Sequence, residues 1–169
     1  TVGITGTNGK TTTAHIIEGL LRHAGRDPGI IGTLRYRYTR GADVIEASTG
    51  LTTPPAVELA GILSDMVAAD CESVVMEVSS HALEQERVAC VDFDVGVFTN
   101  LTQDHLDYHG TLDAYFQAKA SLVTRRLKDH GQAVVNLDDP HLASLADEAA
   151  VTFSLAGNPA ARLRADYSE

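Results

Sequence analysis

The chain has 169 residues, of which 13 are basic and 23 acidic, giving a net charge of −10 at neutral pH. This acidic excess argues against a nucleic-acid or anionic-membrane surface as the main binding surface, because both need basic patches. A hydrophobic fraction of 44% argues against disorder, the length suits one domain, and no apolar run approaches the roughly 18–20 residues that cross a bilayer.

The start of the chain and its cysteines favour a cytoplasmic fragment of a longer protein. The sequence opens on an apolar segment without an initiator Met or the basic region of a signal peptide. Its two cysteines, Cys71 and Cys90, are too few for a disulfide framework or a metal cluster. We therefore expect free thiols in a reducing compartment.

The hydropathy pattern predicts an α/β fold. Short apolar runs predict strands over residues 2–5, 29–34, 73–78, 94–98, 132–136 and 151–155. Helical periodicity predicts helices over residues 11–24, 55–69, 111–127 and 140–149. Residues 35–47 are predicted as a small hairpin or excursion, and residues 157–169 are weakly patterned. Apolar strands that alternate with helices predict a mostly parallel sheet covered on both faces.

Apolar stripes predict the buried faces of the first two helices. In the helix over residues 11–24, which Gly25 is expected to end, the stripe comprises Ile16, Ile17, Leu20, Leu21 and Ala24. In the helix over residues 55–69, it comprises Val57, Ala60, Leu63 and Val67.

The segment Gly6-Thr7-Asn8-Gly9-Lys10-Thr11 has the context of a phosphate-binding loop, because it follows a strand and opens a helix. Glycines let backbone N–H groups converge on phosphate oxygens, and the helix N-terminus adds partial positive charge. Lys10 is expected to reach the terminal phosphates and Thr11 to bind Mg²⁺. The spacing departs from the strict phosphate-loop pattern, whose first glycine would fall at Ile4, so a chance glycine-rich turn is the alternative. A dinucleotide fingerprint is disfavoured because G-x-G-x-x-G is absent.

Glu77 places a carboxylate near the end of an otherwise apolar strand. Burial of an unpaired charge is costly, so Glu77 needs a cation, and a metal at the carboxyl edge of the sheet would supply one. The alternatives are a structural salt bridge or a capping role. Ser79 and Ser80 are themselves candidate caps of a following helix.

Polar residues also follow the strand over residues 94–98. Asn100, Asp104 and His105 lie within ten residues of its end and suit nucleotide and metal contacts. A merely solvated histidine is an equal alternative for His105.

Lys119 falls on the apolar stripe of the helix over residues 111–127, for which Thr111 is a predicted N-cap. That stripe comprises Leu112, Tyr115, Phe116, Leu122 and Val123. A lysine facing the core is costly unless it is paired or chemically changed. The alternative is that its side chain snorkels to solvent.

Two further segments carry weaker signals. Residues 48–55 form a hydroxyl-rich loop that could simply cap a helix, and residues 136–140 contain Asp139 as a candidate N-cap. Apart from Lys119, all these candidates are predicted at or just beyond the carboxyl ends of strands, where open α/β sheets bind ligands.

Taken with the runs Glu77-Val78-Ser79-Ser80-His81-Ala82-Leu83 and Thr99-Asn100-Leu101-Thr102-Gln103-Asp104-His105-Leu106-Asp107, the loop resembles the central ATPase domain of the Mur ligases. The segments 114–122 and 51–54 agree with it. The likeness covers the chain to about Pro140 and is strongest to the family member that adds the third peptide residue. It implies a P-loop NTPase-like fold and explains the irregular spacing of the loop.

The resemblance also implies roles for individual residues. Those implied to bind ATP are Gly6, Thr7, Asn8, Gly9, Lys10, Thr11, Thr12, Asn100 and Asp104. Those implied to bind Mg²⁺ are Thr11, Glu77, His105 and Lys119, the last as a lysine carboxylated on its side-chain nitrogen. Those implied to contact a UDP-MurNAc-dipeptide are Thr52, Thr53, Ser79, Gln85 and Arg87. Lys10, Lys119 and His105 are the implied catalytic residues.

The implied reaction has two steps. ATP phosphorylates the substrate carboxylate to an acyl phosphate, and the amine of an amino acid then displaces phosphate to form an amide. The whole chain, residues 1–169, is expected to be one ATP-binding domain excised from a three-domain ligase, without the uridine-binding and amino-acid-binding domains. A related ligase such as folylpolyglutamate synthase and a nucleotide-binding switch module are the alternatives, and the identity of the third amino acid stays open.

Overall fold

The computed structural model describes residues 1–147 and 150–165. Along the chain the elements are β1 Val2–Thr5, α1 Lys10–His23, β2 Pro28–Ile31, β3 Tyr36–Arg40, β4 Asp43–Ala47, α2 Ala56–Ala68, β5 Ser73–Glu77, α3 Ser80–Glu84, β6 Phe93–Phe98, α4 Leu106–His109, α5 Leu112–Arg125, β7 Leu127–Asn136, a 3₁₀ helix Leu142–Leu145, β8 Val151–Ser154 and β9 Leu163–Arg164.

The strands form one sheet in the order β4-β3-β2-β5-β1-β6-β7-β8-β9. Neighbouring strands pair in parallel except in two pairs, β2–β3 and β3–β4, which are antiparallel. The β3–β4 hairpin thus adds to the edge of the parallel sheet at β2. The expected mostly parallel α/β sheet is therefore confirmed. Because β5 and β6 pair on opposite sides of β1, the loop after β1 lies where the chain order reverses, the usual ligand crevice of such sheets.

Alternate residues of the strands pack under helices on opposite faces. Val75 and Ala14 of α1 share a cluster on one face. Met76 lies in another cluster, with Leu59 of α2 and Leu122 of α5. Burial on both faces explains why the parallel strands are continuous apolar runs.

The predicted faces of α1 and α2 are wrong in part. In α1 the buried residues are Ala14 and Glu18, whereas Ile16 and Leu20 are exposed. In α2 the buried residues are Leu59, Ile62 and Met66, and Val57 is 89% exposed. Both helices carry apolar residues on more than one face, so periodicity alone does not select the stripe that meets the sheet.

Several element boundaries also differ from prediction. The strand expected over residues 29–34 ends at Ile31, and the one expected to start at residue 132 is part of β7, which starts at Leu127. The helix expected over residues 140–149 is a 3₁₀ helix over Leu142–Leu145, with residues 148 and 149 outside the described part. Asp139 does not cap it. Its carboxylate accepts the backbone N–H groups of Leu101 and His141 instead.

Candidate functional site

The loop between β1 and α1 is held in place by the segment after β6. The backbone N–H of Thr7 donates to the Asn100 carbonyl at 2.9 Å, and that of Asn8 donates to Asn100 Oδ1 at 3.0 Å. In return, Asn100 Nδ2 donates to the Asn8 carbonyl at 3.1 Å, and the backbone N–H of Thr102 donates to Thr7 Oγ1 at 2.9 Å. Asn100 therefore fixes the loop against the neighbouring strand end.

Two glycines give this loop its shape. Gly6 has φ +140, and a Cβ atom there would lie 1.9 Å from Thr99 Oγ1, so only glycine fits. Gly9, the N-cap of α1, has φ 82 and supplies no side-chain cap. The first N–H groups of a helix have no intrahelical acceptor, and a Cβ at Gly9 would meet nothing within 4 Å. The start of α1 therefore has no side-chain cap and open space beside it, an arrangement that suits an anion.

Two lysines converge on the carbonyl of Gly6. Lys10 Nζ donates to the carbonyl oxygens of Gly6 and Thr7 at 2.8 and 2.9 Å. Lys119 Nζ reaches the same Gly6 oxygen from α5 at 2.8 Å and lies 4.6 Å from the centre of the Tyr115 ring. Lys119 is only 1% exposed, so its side chain does not snorkel to solvent.

The environment lowers the pKa of both lysines. Burial lowers the pKa of Lys10, while the charges of Glu77 and Asp104 oppose that shift. Burial, aided by the charge of Lys10, lowers the pKa of Lys119 to about 7. Near neutral pH a large share of Lys119 is consequently an uncharged, nucleophilic amine.

Glu77 ends β5 beside the loop and is 2% exposed. Its carboxylate accepts hydrogen bonds from Thr11 Oγ1 at 2.9 Å and from the backbone N–H and hydroxyl of Thr33 at 3.0 and 3.1 Å. All three donors are neutral, and no salt bridge to Glu77 occurs among residues 1–147 and 150–165. The salt-bridge alternative is thereby rejected, and the carboxylate is left without a cation in contact.

Gly32 makes room for this carboxylate. A Cβ atom at Gly32 would lie 2.2 Å from Glu77 Oε1. Gly32 and Thr33 do not stand out in the sequence as site residues, although both follow β2 at the same edge as the other candidates. Their position after a buried strand was the signal that could have identified them.

The segment after Asn100 brings aromatic side chains to the same edge. His105 is the N-cap of α4 and has φ 51, and its exposed ring packs edge-on against His81 of α3 at 4.9 Å between centroids. Asp104 lies 3.5 Å from His105 Nε2. Burial lowers the pKa of Lys10 and of Lys119, and the negative charge of Asp104 opposes that shift at both lysines.

The oxygen donors at this edge fit a magnesium ion that arrives with a nucleotide. Magnesium is usually bound through one or two carboxylates plus phosphates and water, and the Glu77 carboxylate and Thr11 hydroxyl provide hard oxygen ligands at the start of α1. A cage made by the protein alone is not present, since residues 1–147 and 150–165 contain no group of three or more His, Cys, Asp or Glu side chains suited to a metal. His105 is therefore not part of such a group in the described residues.

The residues expected to contact the dipeptide substrate form a connected set. Thr53 Oγ1 donates to the Glu77 carbonyl at 2.9 Å and accepts the Ser79 N–H at 3.0 Å. Thr52 Oγ1 lies 3.0 Å from Thr33 Oγ1, and Arg87 donates to the Thr53 carbonyl and to Gln85. Ser79 also caps α3, because its hydroxyl accepts the Ala82 N–H. Part of this set therefore has a structural role.

In residues 1–147 and 150–165, no helix has the length and apolarity needed to span a bilayer.

Comparisons with known proteins agree with this geometry. The family described as Mur ligase middle domain matches residues 4–168. A UDP-N-acetylmuramoyl-L-alanyl-D-glutamate--2,6-diaminopimelate ligase from Geobacter metallireducens is 48% identical over 171 residues, an alignment that covers 98% of this chain and 33% of the relative. The chain thus spans about a third of the length of the curated relatives it matches first.

Solved structures extend the comparison. A structure of a UDP-N-acetylmuramoyl-L-alanyl-D-glutamate--2,6-diaminopimelate ligase superposes with a TM-score of 0.76 at 36% identity, covering 93% of this chain and 32% of that one. A bifunctional folylpolyglutamate synthase/dihydrofolate synthase with Mn, AMPPNP and L-glutamate bound superposes with a TM-score of 0.56 at 21% identity, covering 92% and 43%. At that identity the second likeness concerns the fold alone.

Proposed function

The chain belongs to the Mur ligase middle-domain family, and from that premise we propose that it is the ATP-binding domain of a peptidoglycan-precursor ligase. The substrate class is UDP-MurNAc-L-Ala-D-Glu, to which the enzyme adds an amino acid at the expense of ATP. One observation carries the proposal: an uncapped helix start with Lys10 lies beside a buried carboxylate, Glu77, that no cation contacts in the part of the chain that the structure describes.

Each residue at this edge has a place in phosphoryl transfer. The N–H groups at the start of α1 bind phosphate oxygens, and Lys10 leaves the carbonyls of Gly6 and Thr7 to pair with the terminal phosphate. Glu77 and Thr11 would hold Mg²⁺, which neutralises charge on the transferring phosphoryl group. Asn100 keeps the loop rigid, so that these groups are oriented before the substrate arrives.

We further propose that Lys119 is carboxylated. Its neutral amine attacks CO₂, an N–C bond forms, and a proton is released to give a carbamate anion. The remaining N–H can still donate to the Gly6 carbonyl, which Lys119 reaches at 2.8 Å. The modification replaces a cation that repels Lys10 with an anion that attracts it and can face the metal site.

The acceptor side of the site is proposed to lie around Thr52, Thr53, Ser79, Gln85 and Arg87. Arg87 provides a cation for the anionic substrate, and it is already oriented by Gln85 and the Thr53 carbonyl. For the incoming amino acid we propose 2,6-diaminopimelate, on the names of the most similar relatives.

Catalysis is proposed to need domains beyond these residues, one for the uridine end of the substrate and one for the amino acid. The carboxylate, the γ-phosphate and the amine have to be aligned within about 3–3.5 Å, and the chain spans only about a third of its relatives. The cytoplasm is the proposed compartment, since the thiols of Cys71 and Cys90 are free.

The proposal is tested by ADP release from a full-length ligase that contains this chain. Purified enzyme receives ATP, Mg²⁺ and either UDP-MurNAc-L-Ala-D-Glu or a folate, with and without 2,6-diaminopimelate. We expect ADP release and an amide product only with the muramyl substrate and the amino acid together. Product from the folate would support a folylpolyglutamate-type ligase, and nucleotide binding without substrate-dependent ADP release would support a switch module.

The same assay on residues 1–169 alone is the matched control. We expect a folded domain with little ATPase and no amide product. Ligation by the isolated chain at a rate near that of the full-length enzyme would contradict the need for further domains.

A further inference from the structure

A buried histidine at the end of α4 connects the two halves of the candidate site. The side chain of His109 is 2% exposed, and its Nε2 lies 3.0 Å from the hydroxyl of Ser80, which is 1% exposed. On its other side, Nδ1 lies 3.4 Å from the carboxylate of Glu84, a side chain that is half exposed. The His109 ring therefore connects α4 to both ends of the short helix α3, at Ser80 and at Glu84.

The order of these three groups is that of a serine hydrolase triad, yet burial excludes that chemistry. A nucleophilic serine has to meet its substrate, and Ser80 is closed off from solvent. What remains for a buried, hydrogen-bonded histidine is to fix the elements that it connects.

The elements it connects carry the groups of the proposed metal and nucleotide site. Ser80 follows Glu77 by three residues, and Thr53 and Ser79 bind the chain between them in place. On the other element, the backbone N–H of His109 donates to the His105 carbonyl at 3.0 Å. The Ser80–His109 contact thus spans from the end of β5 to the turn that bears Asp104 and His105.

The turn needs such a contact because its own structure is weak. α4 is a single turn of four residues, and its N-cap, His105, has a left-handed conformation, which is unfavourable for a non-glycine residue. An isolated helical turn of this length is not stable by itself. Tertiary contacts must therefore hold His105 where it is.

We propose that His109 is a positioning residue whose hydrogen bond to Ser80 holds the 104–109 turn, and with it Asp104 and His105, against the end of β5 that carries Glu77. This inference rests on the proposed function, because the turn matters for catalysis only if Glu77 and the phosphate loop bind Mg²⁺ and ATP. His109 itself touches no substrate and acts through Ser80.

The chain offers matched variants for the test. His109→Gln places a polar atom close to the position of Nε2 and can still reach Ser80, whereas His109→Asn reaches only the position of Nδ1, towards Glu84. Ser80→Ala removes the partner hydroxyl with little change in volume, and Glu84→Gln is a control on the exposed side. Because His109→Gln and His109→Asn both remove the imidazole ring, a difference between them reports on the hydrogen bond and not on ring packing.

Two readouts are measured, and only one of them depends on catalysis. The first is the nuclear Overhauser effect between the rings of His81 and His105, whose centroids lie 4.9 Å apart, measured on residues 1–169. The second is the Mg²⁺ concentration that gives half-maximal ADP release in the full-length ligase. Thermal unfolding is followed in parallel to identify variants that are simply unstable.

We expect Ser80→Ala and His109→Asn to weaken the ring contact and to raise the Mg²⁺ requirement about tenfold, the lower end of what loss of an outer partner of a metal site costs. His109→Gln and Glu84→Gln should stay near wild type. The proposal is overturned if folded Ser80→Ala keeps the ring contact and the wild-type Mg²⁺ requirement. It is also overturned if His109→Gln and His109→Asn weaken the ring contact and raise the Mg²⁺ requirement to the same extent. If the wild-type ligase shows no substrate-dependent ADP release, the proposed function fails, while the ring contact still decides the role of His109.

Discussion

Two buried glutamates lie at different places in the molecule, and their surroundings differ in kind. Glu18 on α1 is 3% exposed and Glu77 at the end of β5 is 2% exposed. The Glu18 carboxylate accepts hydrogen bonds from Arg22 at 3.0 Å and from Arg37 at 2.5 Å. Among the residues that the structure describes, the Glu77 carboxylate accepts only from neutral groups of Thr11 and Thr33.

The difference shows how burial alone fails to identify a functional carboxylate. Arg22 and Arg37 neutralise the charge of Glu18, and the Arg37 contact fixes α1 to β3. The Glu18 carboxylate is therefore not available to a ligand. Glu77 is oriented by hydrogen bonds that hold a charged carboxylate without cancelling its charge. Under the proposed function, this is the carboxylate that would hold Mg²⁺ beside the nucleotide phosphates.

The largest effect on activity is expected from the removal of Lys10, whose pKa the charge of Glu77 raises against the effect of burial. If Lys10 acts on the phosphates, Lys10→Ala in the full-length ligase should lower ATP turnover about 10²–10³-fold, the usual cost of removing one group that stabilises developing charge. Circular dichroism should stay native-like. Unchanged turnover in a folded variant would contradict the phosphate-loop assignment and leave Lys10 with only its hydrogen bonds to the Gly6 and Thr7 carbonyls.

A second, smaller loss is expected from Lys119→Ala, of about 10–100-fold in ADP release. Its cause is tested directly by ¹³C NMR with labelled bicarbonate, which should show a carbamate in the wild type and none in the variant. The pKa of Lys119 is lowered to about 7, so the amine is increasingly protonated below that pH and the carbamate signal should fall as pH drops from 8 to 6. A signal that does not change over this range, or a variant with full activity, would count against carboxylation.

Glu18→Gln should produce the opposite pattern to a change at Glu77. We expect a loss of about 1–3 kcal/mol in the free energy of unfolding, since hydrogen bonds to a charged group are weakened, with ATP turnover unchanged. Burial raises the pKa of Glu18, but the hydrogen bonds and the charges of Arg37 and Arg22 together outweigh burial, so that the pKa is lowered. A lowered carboxyl pKa stabilises the fold above the ordinary value of about 4.3 and loses that contribution as the pH falls through the folded value.

Urea unfolding at several pH values checks this expectation. The difference in the free energy of unfolding between wild type and Glu18→Gln should be constant above about pH 5.5 and should shrink as the pH falls below about 4. A gap that widens on acidification would show that the Glu18 cluster does not act through its charge.

The smallest expected effect comes from Gly19→Ala, on α1 next to Glu18. Gly19 is an exposed helix interior position at which a Cβ atom meets nothing within 4 Å. The change should stabilise the protein by about 0.5–1 kcal/mol and leave the Mg²⁺ requirement unchanged. Denaturant unfolding measures the gain, and an altered Mg²⁺ requirement would mean that α1 transmits changes to the site.

The same two regions show what the sequence could predict. The parallel sheet followed from continuous apolar runs, and Lys119 stood out because the α5 stripe contained one charged residue. Burial of Glu18 was not predicted, because the predicted apolar stripe of α1 included Ile16 and Leu20, which are exposed in the structure. Glu18 is buried against Arg37, 19 residues away in the chain, and local periodicity carries no information about that partner.

Short elements marked a second limit. α4 has four residues and α3 five, too few to show a helical period. Their position comes from tertiary contacts such as that of His109 with Ser80. The candidate residues Asn100, Asp104 and His105 were predicted from their place after a strand, whereas the contacts that orient them needed coordinates.

The most direct test of the difference between the two glutamates is Mn²⁺ binding, measured by electron paramagnetic resonance on the full-length ligase with AMPPNP. Glu77→Gln and Glu18→Gln each remove one buried negative charge and keep the shape of the side chain. We expect Glu77→Gln to weaken Mn²⁺ binding at least tenfold and Glu18→Gln to leave it at the wild-type value. Equal Mn²⁺ affinity in wild type and Glu77→Gln would contradict the assignment of Glu77 as the carboxylate that binds the metal.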